Sequence, residues 1–115
     1  MQAAKLLGAL KALVPPPPPG TPGPFALSDE DALREFATKA GLEPVEVIDV
    51  DSLFRYADLS TALRGLVASG NAIRAAELSS EDAVRKAYSD ALEQFRQPDG
   101  SYRIGATFRC LFTRT

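Results

Sequence analysis

Few side chains able to do chemistry occur in this 115-residue sequence, and the most versatile type is absent. There is no histidine and no tryptophan, a single cysteine at Cys110, and lysine only at Lys5, Lys11, Lys39 and Lys86. Without histidine there is no Ser-His or Cys-His nucleophile pair and no imidazole-ligated metal. Lysine chemistry needs a desolvated amine, and all four lysines fall in stretches that read as helices, with no mark of burial. The carboxylates Asp29, Glu30 and Asp31 stand together after Ser28. Acids in that position suit the first turn of a helix, where they complement its dipole. No carboxylate pattern suggests a magnesium site. On these grounds the expectation is no catalytic residue and no metal.

Composition narrows the class. The chain is 45% hydrophobic and 24% charged, with a net charge of −2, which is ordinary for one domain. Residues 29–58 hold nine acids against Arg34, Lys39 and Arg55, while residues from 59 onward hold eight bases and six acids. A nucleic-acid binder wants a clustered basic face, so no nucleic-acid partner is expected. No apolar run reaches the roughly 20 residues of a membrane span. The segment 3–14 is interrupted by Lys5 and Lys11, unlike a signal peptide. The lone cysteine fits a reducing compartment. A cytoplasmic protein without a membrane partner is expected.

The elements that would position these residues follow from periodicity. Leucines at 6, 7, 10 and 13 predict a helix over 2–13, stopped by Pro15–Pro19, which lack a donor N–H. The span 15–24 reads as a stiff, extended linker. Ser28 is expected to cap a helix with a stripe of Leu33, Phe36, Ala37 and Ala40, ended at Gly41. Residues 45–50 (VEVIDV) read as a strand, and 51–59 as a loop carrying Phe54 and Tyr56. A helix capped by Ser60 follows, then a short extra turn over 71–77. A long helix over about 81–96 follows Ser79 or Ser80. Pro98-Asp99-Gly100 is a turn, and 101–114 alternates as a long strand. One of its faces carries Tyr102, Ile104, Ala106, Phe108, Cys110 and Phe112, so Cys110 is expected to be a buried thiol. The fold class is α+β: a two-stranded antiparallel sheet (about 45–50 and 101–114) with about five helices. The domain division is an N-terminal helix (1–14), a linker (15–24) and an α+β domain (25–115).

Three stretches carry a resemblance. PPPPPGTPGPFALSDEDALREFATKAGLEPVEVIDVD, YADLSTALRGLVASGNAIRAAE and FRQPDGSYRIGATFRCLFTRT together resemble the C-terminal part of class I S-adenosylmethionine-dependent methyltransferases of the bacterial small-molecule type. The resemblance implies that 45–50 and 101–114 are the last two strands and that the helices between them cap the substrate. Phe25, Phe54, Arg55 and Tyr56 match positions near the family's substrate mouth and are the candidate substrate-binding residues. The Gly-rich turn and acid that hold S-adenosylmethionine in the family have no counterpart, since Gly20 and Gly23 lie in the linker. The chain alone is therefore expected to bind no cofactor and to be inactive without a cofactor-binding partner or half. In the family's strand order, 101–114 would have lost a neighbour, which implies an open edge and a homodimer formed through it. The alternative is a stand-alone module that binds small molecules or pairs with itself.

Overall fold

The computed structural model describes residues 1–115 and is α+β. Its five α-helices are α1 (Ala3–Gly8), α2 (Glu30–Lys39), α3 (Leu59–Val67), α4 (Gly70–Leu78) and α5 (Glu81–Leu92). Two strands, β1 (Glu43–Tyr56) and β2 (Tyr102–Arg114), form one two-stranded sheet. No helix is long and apolar enough to cross a membrane.

The chain divides into two compact units. The first comprises Met1–Pro16 and Ser52–Ala106, the second Pro17–Asp51 and Thr107–Thr115.

The first unit holds the core. In it α5 packs against α1, α3 and α4, and burial follows the helical period: Val84, Tyr88 and Leu92 on α5 lie inside. Tyr102, Ile104 and Ala106 of β2 join the same apolar cluster. Each of α3 to α5 begins on a capping side chain. The Thr61 N–H donates to Asp58 (2.7 Å), the Ala72 N–H to Ser69 (3.3 Å) and the Ala83 N–H to Ser80 (3.0 Å). Asp58, rather than Ser60, thus starts α3, and the expected short turn at 71–77 is a full nine-residue helix. The predicted N-terminal helix is shorter than 2–13. It stops at Gly8 and resumes as a 3-10 turn over Lys11–Leu13, consistent with glycine's poor helix propensity. The long helix similarly ends at Leu92 and tightens into a 3-10 turn over Glu93–Phe95.

In the second unit, the proline run leads into a turn closed by the Thr21 N–H on the Pro18 carbonyl, with Gly20 at φ 83°. The span 15–24 is therefore not extended throughout. Asp29 caps α2 through the Ala32 N–H (2.9 Å), while the Ser28 hydroxyl turns back to the Phe25 carbonyl (2.7 Å). Gly41 ends the helix as expected. Its φ is 84°, and the Gly41 and Leu42 N–H groups close on Thr38 and Ala37. Of the expected stripe on α2, Ala37 is buried and Leu33 half-buried, but Phe36 is 61% exposed.

The largest departure is β1. It runs through the segment expected to be a loop, so Leu53, Phe54, Arg55 and Tyr56 are strand residues. The Thr107 hydroxyl donates to Asp51 (3.0 Å), and Arg109 pairs with Asp49. In that register Tyr56 faces Tyr102 and Pro44 faces Arg114, which matches the ends of both strands.

Candidate functional site

Strand alternation sorts the sheet into two faces. Asp49, Asp51, Leu53 and Arg55 share one face with Arg109, Thr107, Gly105 and Arg103. Ile48, Val50, Phe54 and Tyr56 share the other with Cys110, Phe108, Ile104 and Tyr102. The apolar face expected for β2 exists, but its burial stops midway. Ile104 is fully buried and Ala106 buried, whereas Phe108 and Phe112 are each 51% exposed and Cys110 is half-buried. Cys110 is therefore not the enclosed thiol that alternation suggested. Facing residues of β1 are exposed as well: Ile48, Val50 and Phe54 all lie among the exposed large hydrophobics. Within the second unit, Ile48, Val50, Phe108 and Phe112 lie on one face of the sheet, and exposed apolar residues grouped in this way are characteristic of an interaction site.

The polar face carries the best-built charged contact. Arg109 grips Asp49 with Nε on Oδ1 (2.9 Å) and Nη2 on Oδ2 (3.1 Å), and its Nη1 donates to the Ser28 carbonyl (2.7 Å). This two-pronged geometry is the strong form of a carboxylate–guanidinium pair. The Arg109 hydrogen bond holds the Asp49 carboxyl below its ordinary value. The contact fixes the loop before α2 to the sheet. Sequence alone shows Arg109 and Asp49 as two exposed charges; only the strand register brings them together.

Phe54, Arg55 and Tyr56 sit in consecutive positions near the end of β1, so Arg55 points to the face opposite Phe54 and Tyr56. Tyr56 is half-buried, with its ring beside Gly65 on α3, where an added Cβ would just touch it. Burial first, then the nearby Tyr88, raises the Tyr56 phenol above its ordinary value. Arg55 is exposed, stands opposite Arg103, and takes part in no ion pair. Phe25 belongs to the second unit, in the turn before α2, and is 44% exposed. The structure thus places Phe54 and Tyr56 on one face and Arg55 on the other.

The two outer edges of the sheet differ. On β2 the Gly105 N–H donates to the Gln2 side chain (2.7 Å), and the Ser101 carbonyl accepts from the Gln97 N–H (2.8 Å). Gly105 therefore directs its backbone outward, as do the odd-numbered residues around it. In an antiparallel pair the directly facing residues share that orientation, so Asp49, Asp51, Leu53 and Arg55 direct theirs outward from β1. Nothing in the chain receives the backbone groups of these four residues. Gln2 was not legible as an edge cap, since its partner lies 103 residues away.

A groove of about 440 Å³ lies in the first unit between α4 and α5, floored by Val67, Ala72, Ile73, Ala76 and Val84 and rimmed by Glu77 and Glu81. No cluster of three or more His, Cys, Asp or Glu side chains could hold a metal ion. No protein-family model, characterised protein or solved structure matches the chain.

Proposed function

We propose that the chain is a partner-dependent module: the substrate-side, C-terminal portion of an S-adenosylmethionine-dependent methyltransferase, whose sheet is completed by another polypeptide. The methyltransferase part of this reading rests on the sequence resemblance, and the half-covered sheet supports a partner that covers it. The apolar face of β2 is buried to Ala106 and bare at Phe108 and Phe112, with Ile48 and Val50 exposed beside it. A two-stranded sheet is marginal by itself, and apolar surface of this kind gains free energy by being covered. In this reading Phe54 and Tyr56, which share a face of β1, contact the substrate, and the cofactor is held by the partner. Titration calorimetry of the chain alone with S-adenosylmethionine is expected to show no binding. Micromolar or tighter binding refutes the requirement for a partner.

A second reading is a homodimeric interaction module, favoured by the unoccupied outer edge of β1. Sedimentation equilibrium of the purified chain separates the two, since self-pairing gives a mass that rises with concentration.

A further inference from the structure

We infer that β1 pairs with β1 of a second copy about a twofold axis at Ser52, giving a four-stranded antiparallel sheet in the order β2-β1-β1-β2. The inference rests on the self-pairing reading and deepens it by assigning the edge and the register.

The edge is set by the backbone. Beside the start of β2 the Ser101 carbonyl already accepts from Gln97, and within it the Gly105 N–H already donates to Gln2, so that end of the edge is blocked. On β1 the outward groups of Asp49, Asp51, Leu53 and Arg55 have no acceptor or donor, and all four residues are exposed. An unpaired strand edge of this length is a template for another strand.

The register is set by the side chains. With Ser52 facing its own copy, Arg55 faces Asp49 of the second molecule, and the twofold repeats this pair. Arg55 has no ion pair within its own chain and stands opposite Arg103, so it lacks an acid where one is favourable. On the other face, Val50 meets Phe54 and Ile48 meets Tyr56, each twice, and Ile48, Val50 and Phe54 are the exposed large apolar residues of β1 on that face. A branched residue against an aromatic one is a favourable cross-strand pair. Moving the axis to Val50 sets Asp49 against Asp51, and moving it to Asp51 sets that acid against its own copy. Moving it to Leu53 shortens the overlap. The axis at Ser52 pairs residues 48–56 and forms about eight backbone hydrogen bonds between the copies, two for each outward-facing pair.

Cysteine cross-linking tests edge and register together. In a Cys110→Ser background, Ser52→Cys places two thiols directly opposite each other at the axis, within disulfide range. Val50→Cys sets them about four residues apart along the strand, out of range. Under mild oxidation at about 50 µM chain, Ser52→Cys is expected to give mostly covalent dimer and Val50→Cys almost none. Circular dichroism checks that both variants are folded. In parallel, sedimentation of the unaltered chain is expected to move from 12.3 kDa toward twice that mass, and Leu53→Pro is expected to hold it at 12.3 kDa. That substitution removes one outward N–H while leaving the inward ladder to β2 intact. A monomer up to about 100 µM, well above the micromolar range of weak specific dimers, overturns the pairing itself. A dimer in which Val50→Cys cross-links as well as Ser52→Cys, or which survives Leu53→Pro, overturns the edge and register but leaves self-association standing.

Discussion

Ile104 and Phe108 lie on the same face of β2, four residues apart, yet their truncation should have very different costs. Ile104 is 0% exposed within the core cluster, and Phe108 is 51% exposed. Ile104→Ala deletes three carbon groups, about 2.4 kcal/mol at roughly 0.8 kcal/mol each. A cavity contribution brings the total to about 3 kcal/mol. Phe108→Thr keeps a branched strand-former, and half of the phenyl ring was already in water. The buried remainder is roughly 100 Å², which gives at most about 2.5 kcal/mol by area. Because the unfolded chain also shelters part of that surface, about 1 kcal/mol is expected. Urea unfolding followed by far-ultraviolet circular dichroism at about 1 µM protein, where weak dimers of micromolar affinity dissociate, measures the difference. With a slope near 1.5 kcal/mol per M, Ile104→Ala should lower the midpoint by about 2 M and Phe108→Thr by less than about 1 M. Binding of a hydrophobic dye to the folded protein should fall for Phe108→Thr. Equal midpoint losses would refute the half-covered sheet, because they would mean that Phe108 is as enclosed as Ile104.

Three further outcomes follow from local geometry. The carboxyls of Asp49, Asp58 and Asp99 are held below their ordinary value by hydrogen bonds from Arg109, Thr61 and Ser101 respectively. Their stabilisation is present above the unfolded value near about 3.9 and is lost as pH falls through the lowered ones. NMR titration of Arg109→Gln should raise the Asp49 midpoint while leaving Asp58 and Asp99 unmoved. Gly41→Ala, at φ 84°, should cost about 1 kcal/mol and lower the thermal midpoint by several degrees. Gln2→Ala should speed amide exchange at Gly105, whose N–H it leaves to water, with little effect on the exchange of Ile104.

The helices were readable because their signals are local. The spacing of Val84, Tyr88 and Leu92 marks the buried face of α5, and Ser80 and Gly41 mark a start and a stop. The strand through Leu53, Phe54, Arg55 and Tyr56 was not readable. Two aromatics beside an arginine after an Asp-Ser pair suit a loop as well as a strand, and only pairing with Tyr102, Ile104 and Gly105 decides between them. The same holds for Cys110. Alternation gives the face of β2 it occupies, but not that the cover ends at Ala106. Candidate residues Arg55 and Tyr56 were adjacent in sequence, and the strand sends them to opposite faces. Gln2 and Arg109 act over separations that no local pattern encodes.

The first unit is made from two separated pieces of chain, Met1–Pro16 and Ser52–Ala106, tied by Gln2 to Gly105 and by Lys5 to Gln94 (2.8 Å). This has a consequence for the order of assembly. Helices α3, α4 and α5 are neighbours in sequence and can meet early, since local contacts cost little loop entropy. The segment containing α1 precedes these helices in the chain but docks after them, because α5 and β2 must exist before Leu6 and Gln2 have anything to pack on. Bringing its end to Ser52 also closes a loop of about 35 residues, an entropic cost of roughly 3 kcal/mol beyond the constant term. During synthesis the apolar face of α1 therefore stays exposed until α5 and the start of β2 have emerged. Truncation before Ala106 leaves it without a seat.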